Sequence, residues 1–381
     1  MNSDAPKIFQ YLIAMGENQA SDLYLTVGFP PCVRGDYGLR NIEPEALSDE
    51  AIQDLLNSML TARQKREFDT KMELNTALDM GKHGRFRVNI LKQRQSAALV
   101  IRRIITEIPD FEQLRLPKLL ESLVMQKRGL VLITGMTGSG KSTTLASMVD
   151  YRNQRQQGHI ITIEDPIEYF HEHKKSVVTQ REVGVDTASY AIAMKNSLRQ
   201  RPDVILVGEI RDREVMEQAL TIAETGHLCL ATIHTNNAYQ AIERIVNLFP
   251  EDFHAQIRLN LSLNLQAIIS QRLLPSLKGG LVPAIEIMLN QGLVRELILK
   301  GDISKIGTVM EQNANIGMCT FDQSLLKLFQ EGHIDEDAAI SNSDRPSDMK
   351  IKVQQAQLSG KVRTDQDVIQ ALDTSKIALS E

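Results

Sequence analysis

Apolar positions follow two different rhythms along the chain, and the change comes near residue 110. Before it, short amphipathic patterns dominate. Residues 5–17 place Ile8, Tyr11, Leu12 and Met15 at helical spacing. DLYLTV follows as a short strand, with Gly28, Pro30 and Pro31 as punctuation. Residues 48–68 read as one helix, with Ser48 as N-cap and Asp49 and Glu50 in the first turn. Three strand-like runs come next: LNTALDM, GRFRVNILKQ and SAALVIRRI. The second alternates Phe86, Val88 and Ile90, as a half-buried strand does. These elements predict a small α+β domain over residues 1–105.

A linker, residues 106–116, runs through TEIPDFEQLRLP between Pro109 and Pro117. Beyond it, continuous apolar runs alternate with helical patterns. GLVLIT precedes a helix from Lys141, HIITIE precedes a loop, DVILVGEI precedes a helix from Asp212, and HLCLATI precedes a helix from Asn237. Strands covered on both faces lose their polar alternation. Strands alternating with helices predict a parallel sheet flanked by helices. Residues 117–345 are therefore expected to form a doubly wound α/β domain with a helical C-terminal part. From Ser341 the chain turns polar, so 346–381 is expected as a poorly ordered tail with one short helix near Val368–Leu372.

Composition narrows the function classes. The 381 residues are too many for one average domain, and 42% apolar content is enough for real cores. A net charge of −5 argues against a dedicated nucleic-acid binder, which needs a basic face. Cys32, Cys229 and Cys319 are far apart with no CxxC pair, which disfavours a disulfide framework or zinc ribbon and suits a reducing cytosol. The N-terminus lacks the pattern of a secretory signal, and no apolar run approaches the ~20 residues of a membrane span. A cytoplasmic protein that docks on a membrane-bound partner is the expectation.

The candidate chemistry begins at GMTGSGKS, Gly135 to Ser142, which fits G-x-x-x-x-G-K-[ST] between a strand and a helix. Gly135, Met136, Thr137, Gly138, Ser139 and Gly140 would turn backbone N–H groups onto phosphate oxygens at a helix N-terminus. Lys141 would reach the β- and γ-phosphates of ATP, Ser142 would ligate Mg²⁺, and Thr143 would touch the α-phosphate. Two acidic clusters complete the set: Glu164, Asp165 and Glu168 in EDPIE, and Glu209 in DVILVGEIRD. Ligands of open α/β sheets sit beyond the carboxyl ends of strands, so both clusters should converge on the loop. Glu209 would hold the Mg²⁺ shell through water, and Glu168 would orient and deprotonate the attacking water. Asp165 would fix the loop. The residues alone leave the roles of Glu168 and Glu209 interchangeable.

LRQRPDVILVGEIRD, Leu198 to Asp212, resembles the signature of the secretion ATPase superfamily. EDPIE is similar to its acid box. TGHLCLATIHTNNA resembles its histidine box, with His227 and His234 at the two characteristic positions. ASDLYLTVGFPPCVRGDYG and GRFRVN, with Arg85 and Arg87, resemble its PAS-like N-terminal domain, although Tyr24 stands where a histidine is usual. The resemblance spans about residues 5–345. It implies a RecA-like core, a ring of six subunits, ATP at subunit interfaces and domain motion coupled to hydrolysis. His227 and His234 would then sense the γ-phosphate or hold the acids, with a purely structural pair as the alternative. Ring ATPases also use arginines on transition-state charge. Arg85, Arg87, Arg94, Arg102 and Arg103, the signature-flanking Arg199, Arg201, Arg211 and Arg213, and Arg272 are all open candidates.

The absent four-cysteine site and the short N-terminal region resemble the type IV pilus retraction branch, the PilT/PilU type. LVRELI, Leu293 to Ile298, stands where PilT-type sequences carry AIRNLI, which makes the chain more similar to the PilU type. A paralogous retraction ATPase and an inner-membrane pilus platform protein are the partners this implies, with the chain peripheral at the inner face of that membrane. An assembly or type II secretion motor, or a nucleotide-dependent scaffold, are the competing functions.

Overall fold

The computed structural model describes residues 6–18, 20–35, 38–104 and 107–359. They form two compact units. One comprises the described residues up to Ile108 with Pro166–Glu172 and Glu182–Ala188. The other comprises Pro109–Asp165, His173–Arg181 and the described residues from Ser189 onward.

The first unit contains α1 (Lys7–Glu17), β1 (Asp22–Thr26), β2 (Cys32–Gly35), β3 (Gly38–Asn41), α2 (Asp49–Met59), α3 (Ala62–Lys71), β4 (Glu73–Asp79), β5 (Arg85–Gln93) and β6 (Ser96–Ile104). Its strands form an antiparallel sheet in the order β3-β2-β1-β6-β5-β4. Alternate residues, among them Leu23, Leu25, Phe86, Val88, Ile90, Leu99 and Ile101, pack against Ile8, Leu12, Met15, Ile52 and Phe68 of the helices. Each such fully buried side chain contributes about 1.5–3 kcal/mol.

The helix expected over 48–68 is two helices. Ser48 caps the first by accepting from the Ala51 N–H. Leu60 then turns extended, and Thr61 starts a second helix in a capping box with Gln64. Thr61 and Gln64 satisfy each other's free N–H groups, so a new start outcompetes continuation. The second hairpin strand pair, β2 and β3, had no periodic signal because β3 is exposed throughout.

The second unit holds α4 (Leu119–Val124), β7 (Gly129–Thr134), α5 (Lys141–Arg155), β8 (Gly158–Glu164), β9 (Ser176–Glu182), α6 (Tyr190–Ser197), β10 (Val204–Val207), α7 (Arg213–Glu224), β11 (Leu228–Ile233), α8 (Ala238–Asn247), α9 (His254–Asn264), β12 (Leu265–Pro275), β13 (Leu281–Leu289), α10 (Leu293–Lys300), α11 (Ile306–Gln312), α12 (Phe321–Gln330), α13 (Glu336–Ser341) and α14 (Pro346–Leu358). Its sheet runs β13-β12-β7-β11-β10-β8-β9. β12, β7, β11, β10 and β8 are parallel neighbours, and β13 is antiparallel to β12. β7, β10 and β11 are buried along their whole length, as their unbroken apolar sequences require.

The expected tail begins instead with a packed helix. In α14, Met349, Val353 and Ala356 share one core with Phe321, Leu325 and Leu274. Three apolar residues at i, i+4 and i+7 are enough to seat the helix, while its polar majority stays outside. The short helix expected near 368–372 lies outside the described residues.

Candidate nucleotide site

β7 delivers the chain to the glycine-rich loop, and α5 begins as the loop ends. Gly140 is the left-handed residue before Lys141. At Gly135, φ is +151°, and a Cβ there would lie 2.4 Å from both the Gln271 carbonyl oxygen and Ser139 Oγ. Both torsion and space thus demand glycine. Lys141 is buried, and its Nζ donates to the carbonyls of Gly135 and Met136 at 2.9 Å each. Ser142 and Thr143 are half-buried in the first turn of α5. Met136, Thr137 and Gly138 are exposed on the rim.

Two clefts open on this loop. One, of about 610 Å³, lies between Gly135–Ser139, Asn237, Arg272 and the Ser341–Asp344 segment. The other, of about 620 Å³, shares Asn236 and Gln240 with it and adds His234, Glu243 and Arg244. Ser139 Oγ faces the first and is buried without a partner among the described residues. An orphaned hydroxyl beside a buried ammonium and a helix N-terminus fits a polyphosphate.

The carboxyl ends of β8, β10 and β11 bring the acids together. Glu209 Oε1 lies 3.0 Å from His234 Nε2, and Glu209 Oε2 accepts from Arg211 Nε at 2.6 Å. Arg211 also reaches Asp165 at 3.5 Å. Burial, then the charge of Lys141, lower the pKa of His234, while Glu209 works the other way. The bond to Glu209 raises the pKa of Arg211. A neutral imidazole and a fixed guanidinium therefore hold one carboxylate. Thr134 at the end of β7 donates to the Thr235 carbonyl at 2.6 Å, and Thr232 donates to the Gly208 carbonyl at 2.6 Å, which locks the three strand ends in register. Glu164 accepts from Thr162 at 2.6 Å and from Gln180 at 3.3 Å. Among the described residues no group of three or more acidic, histidine or cysteine side chains could cage a metal. A Mg²⁺ ion shared between phosphates, Ser142 and a water-mediated carboxylate suits such a donor set.

Glu168 and His227 are the remaining acid–base candidates. Glu168 is exposed on Pro166–Glu172, a segment of the first unit held where the Ile167 N–H donates to the Glu182 carboxylate at 3.1 Å. His227 precedes β11 and hydrogen-bonds Thr225, whereas His234 follows it. A six-residue strand separates the two by roughly 20 Å, so His227 does not join this acidic cluster.

Four of the ten arginine candidates form ion pairs. Arg211 belongs to the acidic cluster. Arg272 pairs with Asp344 at 2.7 Å, donates to the Asn342 carbonyl and lies over the Phe321 ring, so it builds the cleft wall. Arg102 pairs with Asp22, and Arg213 with Glu217. Periodicity gave no sign of two residues that support these clefts. Gln271 accepts from Thr144 at 2.8 Å, and Glu286 of β13, 5% exposed, accepts from the Ala238 N–H at 2.8 Å and from Ser270 at 3.0 Å. Glu286 thereby anchors the start of α8, whose N-terminal residues line both clefts.

The family model described as "Type II/IV secretion system protein" matches residues 52–295. The type IV pilus ATPase PilU of Pseudomonas aeruginosa is 46% identical over 340 residues, spanning 89% of this chain and 89% of that protein. The type IV pilus retraction ATPase PilT of the same organism is 40% identical over 336 residues, spanning 88% of this chain and 98% of its own length. The crystal structure of the pilus retraction motor PilT with bound ADP matches with a TM-score of 0.83 at 43% identity, covering 90% of this chain and 97% of that one.

Proposed function

This chain belongs to the type II/IV secretion system protein family, and within it to the PilT/PilU-type pilus ATPases, and from that premise we propose that it drives or assists type IV pilus retraction. It is an ATPase. The observation that carries the proposal is the placing of Lys141 at the start of α5 beside strand ends that join Glu209 to His234 and Arg211.

In this reading the loop N–H groups, Ser139 and Lys141 hold the β- and γ-phosphates, and Thr143 approaches the α-phosphate. Ser142, with Glu209 acting through a water, would hold Mg²⁺, which when bound neutralises charge on the phosphate oxygens. His234 and Arg211 keep the Glu209 carboxylate in place. Glu168 is the base for the attacking water, a role that needs hydrogen-bond reach to it. The subunit is proposed to work in a homohexamer on a membrane platform protein at the cytoplasmic face. Residues 1–105 and 117–345 would be the domains whose motion turnover drives. No described helix is long and apolar enough to cross a membrane.

One observation favours an accessory role beside a paralogous motor. LVRELI departs from AIRNLI at Leu293, Val294 and Glu296; Leu293 and Glu296 are exposed on α10, while Val294 is buried with Leu297 and Ile298. Two of the three departures therefore alter a surface that a partner would touch, and the buried one, valine for isoleucine, removes a single methylene.

Labelled pili imaged in living cells lacking the protein test the direction of work. Filaments that extend but retract weakly or not at all are expected. A cell with no filaments would make this an assembly motor. Purified Lys141→Ala protein is expected to lose turnover. Equal slow hydrolysis by variant and wild type would favour a scaffold.

A further inference from the structure

One polar group at the strand ends is unused by the machinery above. Tyr190 opens α6, and its phenol oxygen reaches back over Gly208, between the ends of β8 and β10. A Cβ on Gly208 would lie 2.9 Å from Tyr190 Oη, 3.2 Å from Glu164 Cα and 3.3 Å from the Ile163 carbonyl oxygen. The Gly208 N–H is itself bonded to that carbonyl at 2.7 Å. Glycine at 208 is therefore a matter of space, and the space is filled by a hydroxyl.

The ring is held by a helix and not by a loop. Ser189 caps α6 by accepting from the Ile192 N–H, and Ala193, Met194 and Ser197 are buried. Helix placement of this kind fixes a side chain more tightly than a loop does.

The surroundings are acidic. Burial, and then the charges of Asp165, Glu164 and Glu209, push the phenol pKa well above its ordinary value, and only Arg211 opposes them. Such a hydroxyl keeps its proton and can serve as a neutral donor beside carboxylates. Both oxygens of Glu209, meanwhile, are already engaged by His234 and Arg211. A phenylalanine would keep the ring and remove only the oxygen that lies over Gly208. At this half-buried position beside the acids, the hydroxyl can donate to a water.

We propose that Tyr190 is a positioning residue of the ATPase, its hydroxyl donating to the water through which Glu209 acts and fixing that water against the phosphate end of the site. The assignment rests on the ATP-hydrolysing reading given above. A water that accepts from Tyr190 and donates toward a carboxylate has a defined orientation, and an orientation realised only in the reacting complex raises kcat without tightening ground-state binding.

Tyr190→Phe in the full-length protein is the test, because it removes one oxygen and keeps the ring. Thermal stability, affinity for a fluorescent ADP, affinity for ADP with aluminium fluoride, and kcat and KM for ATP would all be measured. The aluminium fluoride complex mimics the phosphoryl group in transfer. We expect Tm, KM and ADP affinity to hold within about twofold. We expect kcat and the affinity for the aluminium fluoride complex each to fall about tenfold, the scale of one hydrogen bond to a charged network. The ratio of the two affinities is read within the folded population, so a modest stability loss does not blur it. Wild-type values for kcat and for that ratio would overturn the proposal. So would a uniform loss of stability and of both affinities, which would make Tyr190 a packing residue. A wild-type protein with no ATP turnover would overturn the reading of the site first, and the proposal with it.

Discussion

Glu286 should make the protein less stable as pH rises through neutrality, and Glu286→Gln should remove that loss. The carboxyl is buried, accepts from Ala238 and Ser270, and faces Asp344 and Arg272. Burial is the main cause that lifts its pKa from 4.5 to about 7, with Asp344 adding to it; the two hydrogen bonds and Arg272 work the other way. A carboxyl with a raised folded pKa binds its proton more tightly when folded. Its stabilising effect is complete below about pH 4.5 and is lost as pH climbs through about 7. Each pH unit of that gap is worth about 1.4 kcal/mol, so the full effect is roughly 3 kcal/mol. Most of it falls between pH 5 and pH 8. Glutamine keeps an acceptor for Ala238 and Ser270 and cannot ionise. Urea melts of both proteins at equal concentration, at pH 5 and pH 8.5, give the difference directly, because every other titrating group cancels. We expect the variant to gain about 2–3 kcal/mol over wild type between the two conditions. Parallel pH dependence of the two proteins would refute the reasoning and show that Glu286 is solvated enough to ionise freely. The same carboxyl anchors α8, so wild type above pH 8 should also bind nucleotide less tightly than the variant does.

Three further outcomes are expected. Glu168→Gln should hold nucleotide affinity within about threefold and cut turnover by ~100-fold or more, since an amide takes no proton; a fluorescent-nucleotide titration that shows equal loss of binding would make Glu168 structural. His234 has a lowered pKa, so the neutral form favoured by folding is fully present above pH 6.5 and is lost below it. Wild type should therefore lose stability and turnover on acidification below pH 6.5 faster than His234→Gln does, and matching profiles would remove His234 from the cluster. Met349→Ala should cost about 2–5 kcal/mol in a denaturant melt. A change under ~0.5 kcal/mol would mean that α14 is not part of the core.

Much of the site was legible because a phosphate loop is a local device. Its glycines, Lys141 and Ser142 act through backbone that lies within a few residues of them, and the flanking strand and helix carry their own periodic signals. Glu209 was legible for a similar reason, standing just past an apolar run whose burial fixes where it ends. Arg211 was one of ten candidate arginines. Only the approach of β8 to β10 sets it between Glu209 and Asp165. Glu286, Gln271 and Tyr190 had no local mark at all. Each acquires its part from a neighbour between 18 and about 130 residues away, through a buried hydrogen bond or a shared space.

The two histidines show the limit from the other side. Flanking one strand in the sequence, they looked like a pair, yet a strand is extended, so its two ends are the most distant points it has. α14 shows it again: averaged over the segment, polarity predicts a tail, but three apolar side chains on one face decide the matter once α12 and β13 offer them a surface. What the amino-acid order determined by itself was therefore whatever is short in range: the phosphate loop, the buried strands, the helix caps and the ATPase family. What only the tertiary structure decided was which distant side chains share a small volume. Burial and Coulomb energies depend on separation in space, and the order of residues along the chain does not contain that separation.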